Sequence, residues 1–221
     1  MIRFFDVTFS FILSILFLPF LFPFVVLKIL FDDFPVFYNS MRIGINGDSI
    51  LVYKFRTMVN DRGAITSYID SSNTKGFERI PSDATIYTKI GRHFERFQLV
   101  ELPQLLNVIL GQMSLVGYRP LPKKLVDDLY LEFGKDLIDM RHSRLPGLTG
   151  VAQLLGRNNI SNLERVNLEV SMNSFFQKTS SSSLKINLYF LILFETLFFV
   201  LFKRNFLINK ILFILDSNKA Q

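Results

Sequence analysis

The chain has 221 residues, enough for one folded domain with membrane segments and too few for two ordinary domains. Hydrophobic residues make up 49%, with 25 Phe and no Trp, and 25 Lys and Arg against 19 Asp and Glu give a net charge of +6. The absence of cysteine excludes disulfides, thiolate catalysis and cysteine metal ligation; the basic excess suits anionic lipid or phosphorylated substrates, and without an aromatic-basic recognition motif nucleic acid is not an expected partner.

Val7 to Leu27 carries no charge, with Arg3 and Asp6 before it and Lys28 after it. As a helix rising about 1.5 Å per residue it reaches roughly 30 Å, the thickness of a hydrocarbon core. No small-residue cleavage site follows, so it is not read as a removable signal peptide. Pro19 and Pro23 each remove a backbone donor and crowd the preceding turn, which predicts a bend near the middle. A bent helix either crosses the bilayer as a single anchor or dips in and returns to the same face, and the residues alone leave both open.

From Asp32 to Ser183 the sequence is that of a mixed globular domain. Gly44-Ile45-Asn46-Gly47-Asp48 is turn chemistry, and Ser49 to Met58 reads as a strand. Alternation puts Leu51, Tyr53 and Phe55 on one face and Val52, Lys54 and Arg56 on the other. Asn60 to Ser82 is polar and reads as a loop or short helix. Glu101 to Leu110 is predicted helical, with Pro103 in its first turn and Leu102, Leu105, Leu106 and Ile109 as its buried face. Leu121 to Ile138 reads as a second amphipathic helix, and Thr179 to Ser183 as a linker. Leu188 to Phe202 is apolar around Glu195 and ends at Lys203-Arg204; it reads as an interfacial helix, with a buried packing helix as the alternative, and Asn205 to Leu215 extends the same surface. No internal repeat is present.

The chemistry-bearing residues point to phosphate. There is no Gly-rich nucleotide loop, zinc-ligand spacing or Ser-His-Asp order, and the isolated His93 and His142 read as structural. What remains is Lys54, Arg56, Glu101, Arg119 and Arg157. Arg157 follows Gly147, Gly150 and Gly156, whose tight turns bring its guanidinium fork toward an anion. Glu101 near a helix start suits Mg²⁺, which takes one or two carboxylates and completes its shell with phosphate and water. It equally suits an ordinary first-turn carboxylate favoured by the helix dipole.

Five blocks carry a resemblance to a known family: Phe4-Phe5-Asp6; Pro35-Val36-Phe37 with Arg42-Ile43-Gly44; Tyr53-Lys54-Phe55-Arg56-Thr57-Met58; Glu101 to Pro120; and Pro146 to Asn158. In this order, over roughly residues 1 to 160, the chain resembles the bacterial sugar transferases, specifically the small monotopic phosphoglycosyl transferases. The resemblance implies a helix-rich α/β monotopic membrane protein on the cytoplasmic face of the bacterial inner membrane. It implies a re-entrant N-terminal helix over 1–31, a small cytoplasmic domain over 32–183 and interfacial C-terminal helices over 184–221. It further implies transfer of sugar-1-phosphate from a UDP-sugar to undecaprenyl phosphate in surface glycan synthesis, with Mg²⁺ and release of UMP.

Carried over residue by residue, Glu101 is the catalytic and metal-binding carboxylate, and Lys54, Arg56, Arg119, Pro120, Arg157 and Asn158 bind substrate phosphate. Departures fall on charged positions. Val100 stands where the family has its nucleophilic Asp, Glu95 where it has Arg, and Gln112 where it has Asp. Tyr118 replaces a Pro, Leu145 an Arg with Arg144 one place upstream, and Leu18 a Ser. Two readings therefore stand: a transferase, and a non-catalytic relative that binds lipid phosphate or nucleotide sugar or pairs with itself or an intact paralogue.

Overall fold

The computed structural model describes residues 1–32, 34–72, 80, 84–156, 160–202 and 204–217. Helix α1 (Ile2–Phe31) continues through Pro19 and Pro23. Both of its ends are fastened to the folded domain by buried polar groups. Asp6, 2% exposed, accepts hydrogen bonds from Ser114 Oγ (2.9 Å), the Leu115 amide (2.8 Å) and Tyr189 Oη (2.8 Å). Arg3 donates to the carbonyls of Val108, Ile109 and Met113. At the other end Lys28 Nζ lies 2.7 Å from Asp32 Oδ2, which also accepts from Thr88 Oγ1 at 2.6 Å. Burying such charges is costly unless they are paired and hydrogen-bonded, and here they are both. Between the two fastenings Leu16, Leu18 and Phe20 stand exposed.

Strands β1 (Phe37–Ile43) and β2 (Ser49–Phe55) form an antiparallel hairpin across the Gly44–Asp48 turn, where Asn46 and Gly47 take the positive φ values of 54° and 86°. The register pairs Tyr38 with Lys54, Ser40 with Val52 and Arg42 with Ile50. The strand stops at Phe55, three residues short of the predicted Met58. Helix α2 (Arg62–Ser72) falls in the polar segment, and α3 (Lys89–Arg96) starts at Thr88, whose hydroxyl caps the Gly91 amide.

The helix predicted from Glu101 is a 3-10 turn, Leu99–Glu101, followed by α4 (Gln104–Ile109) with Pro103 at its N-cap. Its buried positions are Gln104, Leu105, Asn107 and Val108; of the predicted face of Leu102, Leu105, Leu106 and Ile109, Leu105 is buried, Leu102 and Ile109 are partly so, and Leu106 turns out at 48% exposed. The reason is polar. Asn107 Oδ1 accepts the Tyr53 amide and its Nδ2 donates to the Leu51 carbonyl, so this side chain satisfies the open edge of β2 and turns inward with Val108.

Strands β3 (Ser114–Val116) and β4 (Gly147–Thr149) pair in parallel. They approach so closely beyond the pairing that a Cβ on Gly147 would lie 2.0 Å from the Gly117 nitrogen, and only glycine fits. The single helix predicted over Leu121 to Ile138 is two, α5 (Lys123–Phe133) and α6 (Lys135–Arg141), broken by Gly134 at φ 81°. Helix α7 (Val151–Leu154) leads to α8 (Asn162–Lys178), which begins with a capping box between Ser161 and Glu164. The predicted linker shrinks to 179–181, because α9 (Ser182–Phe202) already includes Ser182 and Ser183.

The main core gathers Val52 and Leu105, Val108 and Leu115, with Phe175, Leu188, Tyr189 and Ile192 from α8 and α9. Helix α9 thus buries one face and leaves Phe194, Leu197, Leu201 and Phe202 exposed. Its Glu195 is fully buried and accepts the Leu207 amide at 2.9 Å, tying α9 to the start of α10 (Ile208–Ser217). Among the described residues, α1 and α9 are each long and apolar enough to cross a membrane. The fold is helix-rich α/β with an apolar N-terminal helix, as expected.

Candidate functional site

A small cleft opens between the hairpin, the 3-10 turn and the segment after β3, lined by Arg42, Val52, Lys54, Glu101, Gln104, Arg119 and Pro120. The hairpin register explains the first three. Arg42, two positions along from Ser40, shares a face with Val52 and Lys54. Glu101 enters from the 3-10 turn, and Arg119 from the chain leaving β3 through Gly117 and Tyr118.

Glu101 is the centre of the cation set. Arg119 grips it with both terminal nitrogens, Nη2 at 2.6 Å from Oε1 and Nη1 at 3.4 Å from Oε2, while Lys54 Nζ lies 3.3 Å from Oε1. Burial lowers the Lys54 ammonium to about 8, against the pull of Glu101 and with the help of Arg119 and Arg42. Burial likewise lowers Arg42, helped by Arg119. Burial also opposes the charge of Arg119, but Glu101 outweighs it and raises that group.

Arg119 is itself held from behind. The fully buried pair Arg141 Nε and Glu169 Oε2 is 2.5 Å apart; Arg141 Nη2 donates to the Arg119 carbonyl at 2.7 Å, and Glu169 Oε1 accepts the Arg119 amide at 3.3 Å. Arg141 also stacks 4.6 Å over the Tyr118 ring. The pair fixes the backbone that carries the cleft's cation.

Of the expected site residues, Lys54, Glu101, Arg119 and Pro120 meet in the cleft. Arg56 does not. With the strand ended at Phe55, its guanidinium turns to the Pro35 carbonyl (2.6 Å) and Asn60 Oδ1 (2.7 Å). Arg157 and Asn158 lie outside the described residues. Val100 points away from Glu101 into an apolar cluster with Val36, Phe55 and Phe94, against Leu21, Phe24 and Val25 of α1. Neither histidine lines the cleft. His142 is buried, its Nδ1 2.8 Å from the Ile138 carbonyl, and burial lowers it to about 4; His93 is exposed, 3.0 Å from the Lys89 carbonyl.

Arg42 was missing from the predicted set. Its signal was the turn at Gly44–Asp48, which folds β1 back on β2 and brings Arg42 to the Lys54 face. Residues at or beside the positions expected to depart from the family make contacts with the fold. Glu95 accepts from Thr57 Oγ1, Gln112 from Asn107 Nδ2, and Arg144 lies over the Phe176 ring.

Among the described residues Glu101 is the only carboxylate lining the cleft, and they contain no group of three or more His, Asp or Glu suited to a metal. This donor set fits Mg²⁺ only in company with phosphate oxygens, which supply the remaining ligands and offset the three cations.

The family described as bacterial sugar transferase matches residues 1–203. The uncharacterized sugar transferase EpsL of Bacillus subtilis is 40% identical over 136 residues, covering 62% of this chain and 59% of EpsL. The exopolysaccharide production protein ExoY of Rhizobium meliloti is 36% identical over 170 residues, 74% of this chain and 73% of ExoY. The undecaprenyl-phosphate galactose phosphotransferase of Salmonella typhimurium is 34% identical over 174 residues, 74% of this chain and 35% of the longer enzyme. The chain therefore spans well under two thirds of EpsL and of the Salmonella enzyme, and nearly three quarters of ExoY.

Proposed function

This chain belongs to the bacterial sugar transferase family, and from that membership we propose that it serves sugar-1-phosphate transfer to polyprenyl phosphate in exopolysaccharide synthesis, with a UDP-sugar as donor and undecaprenyl phosphate as acceptor. The observation that carries this reading is the cleft, where Arg42, Lys54 and Arg119 surround one carboxylate.

The protein is a monotopic one in this reading, with 1–31 re-entrant, 32–183 cytoplasmic and 184–221 at the interface. The fastening of both ends of α1 to one folded body supports it, because a helix crossing the bilayer would carry its ends to opposite faces. The exposed apolar residues of α1 and α9 then face lipid on the cytoplasmic side of the inner membrane.

In the transfer itself, an oxygen of the lipid phosphate attacks the sugar-bearing phosphorus of the donor. The bond from that phosphorus to the bridging oxygen breaks, and UMP leaves with the electron pair. Arg119 and Lys54 orient and neutralise the phosphate oxygens, and Glu101 holds the two cations in place. Mg²⁺, held by Glu101 and phosphate, adds charge neutralisation when bound. Arg157 and Asn158 extend the phosphate-binding set in this proposal.

A second reading is favoured by Val100. An aliphatic side chain in an apolar cluster supplies no nucleophile for a covalent route, whose removal costs orders of magnitude in rate. In this reading the chain binds lipid phosphate or nucleotide sugar without turnover, as a dimer with itself or with an intact paralogue.

UMP release from a panel of UDP-sugars, with undecaprenyl phosphate and Mg²⁺, separates the two. Turnover by the unmodified chain above a Glu101→Ala control, dependent on added lipid phosphate, supports direct transfer. UMP released without lipid phosphate sinks the direct step, and none from any donor, with binding intact, leaves the second reading.

A further inference from the structure

The cleft has a wall that continues past its lining toward the apolar surface. Tyr38, Ser40 and Arg42 alternate along one face of β1, and the register sets Tyr38 opposite Lys54. Tyr38 is exposed, at 53%, and lies four residues before Arg42 on the same face of the strand. On the opposite face Phe37 stacks on Phe55 with centroids 5.3 Å apart. Phe34 and Phe37, at 66% and 52%, stand exposed immediately after the equally exposed Leu30 and Phe31 at the end of α1. The hairpin therefore joins a cationic cleft to an apolar rim within one strand.

We propose that Tyr38 and Arg42 form the recognition lane for the lipid acceptor, a single phosphate on an isoprenoid tail. This rests on the reading that the chain binds polyprenyl phosphate. Arg42 takes the phosphate at the mouth of the cleft. The Tyr38 ring covers the first isoprene unit while its hydroxyl stays with the phosphate, and the tail runs out toward the exposed Phe34 just beyond α1. Shape selects this occupant over the soluble donor. Among the described residues Arg42, Lys54 and Arg119 surround one carboxylate, which suits a phosphate of either substrate, but a nucleotide sugar has no apolar chain to cover the exposed rings. An aromatic with a polar tip suits a boundary between lipid and a charged cleft.

The test uses the full chain in vesicles of neutral phosphatidylcholine containing equal amounts of undecaprenyl phosphate and phosphatidic acid. Native mass spectrometry then counts the lipid retained. Arg42→Gln is expected to lower undecaprenyl phosphate retention about tenfold, as for a lost charged hydrogen bond, and Tyr38→Ala about threefold. Asn39→Ala, on the same strand but the opposite face, is expected to retain as much as the unmodified chain, and thermal unfolding verifies that all variants fold. Unchanged retention in Tyr38→Ala and Arg42→Gln overturns the lane while leaving the acceptor reading intact, as does an equal loss in Asn39→Ala. An unmodified chain that retains undecaprenyl phosphate no better than phosphatidic acid overturns both.

Discussion

Val100→Asp is the perturbation that most directly tests where the neighbour of Glu101 points. Val100 is 9% exposed and packed among Val36, Phe55 and Phe94 and the α1 residues Leu21, Phe24 and Val25. Replacing it removes roughly 1.5 kcal/mol of valine burial. It also places a carboxyl among apolar groups, at about 1–3 kcal/mol even when protonated. The sum is about 2.5–4.5 kcal/mol, which in a chain of this size lowers the melting temperature by roughly 5–18 °C. Burial raises the carboxyl's pKa, so the folded state holds more protons than the unfolded state above the usual aspartate range. Stability then falls further as pH rises from about 4 toward 8. Circular dichroism melts at pH 5 and pH 8, with Val100→Asn as the non-titrating control, read both effects. A Val100→Asp protein that melts within 2 °C or so of the unmodified chain at pH 8 would refute the reasoning, because the carboxylate would then have reached Lys54 or Arg119 instead.

Three further outcomes follow from the same geometry. The chain has no cysteine, so Phe4→Cys and Phe34→Cys need no background removal; both are expected to react with a membrane-impermeant maleimide from the same face of oriented vesicles, and labelling from opposite faces would sink the re-entrant topology. With Lys54 titrating near 8, the cleft holds three cations below that pH and two above it. Affinity for inorganic pyrophosphate, measured by calorimetry, should fall about tenfold as pH rises from 7 to 9, and Lys54→Arg should abolish the fall. Glu169→Gln leaves the fully buried Arg141 without its carboxylate and is expected to cost about 3–5 kcal/mol; a melt unchanged within error would show that the pair does not support the fold.

What the sequence made legible depended on the range of the interaction. The apolar run of α1, the turn at Gly44–Asp48 and the strand to Phe55 are local patterns, and each appeared where periodicity or turn chemistry put it. Lys54, Glu101 and Arg119 came together because family blocks already linked them. Arg42 was hidden because its place in the cleft depends on the strand register, and Arg56 was misplaced because alternation assumes that the strand continues. Helix α4 misled for a different reason. Leucine spacing predicts a leucine face, but the bare edge of β2 draws Asn107 inward, and Leu106 turns out. The break at Gly134 was readable in principle, since glycine at positive φ commonly ends a helix, yet the apolar pattern on either side masked it. The Arg141–Glu169 support of Arg119 joins residues 22 and 50 positions away from it, and no local signal reports such pairs.

Retained and replaced positions differ in what their side chains now do. Lys54 and Arg119 keep their charges, and Arg42 joins them around Glu101. Glu95 and Gln112 instead hydrogen-bond Thr57 and Asn107, Tyr118 packs under Arg141, and Val100 fastens α1. In the proposed reading Lys54 and Arg119 attract phosphate, while Val100, at the position expected for the nucleophile, is a packing contact. Binding that is equal in ground and transition states does not raise the rate of a chemical step. In the proposed reading a cleft that sets Arg42, Lys54 and Arg119 around Glu101 is provided for holding phosphate, and turnover there comes from bringing two phosphate groups together.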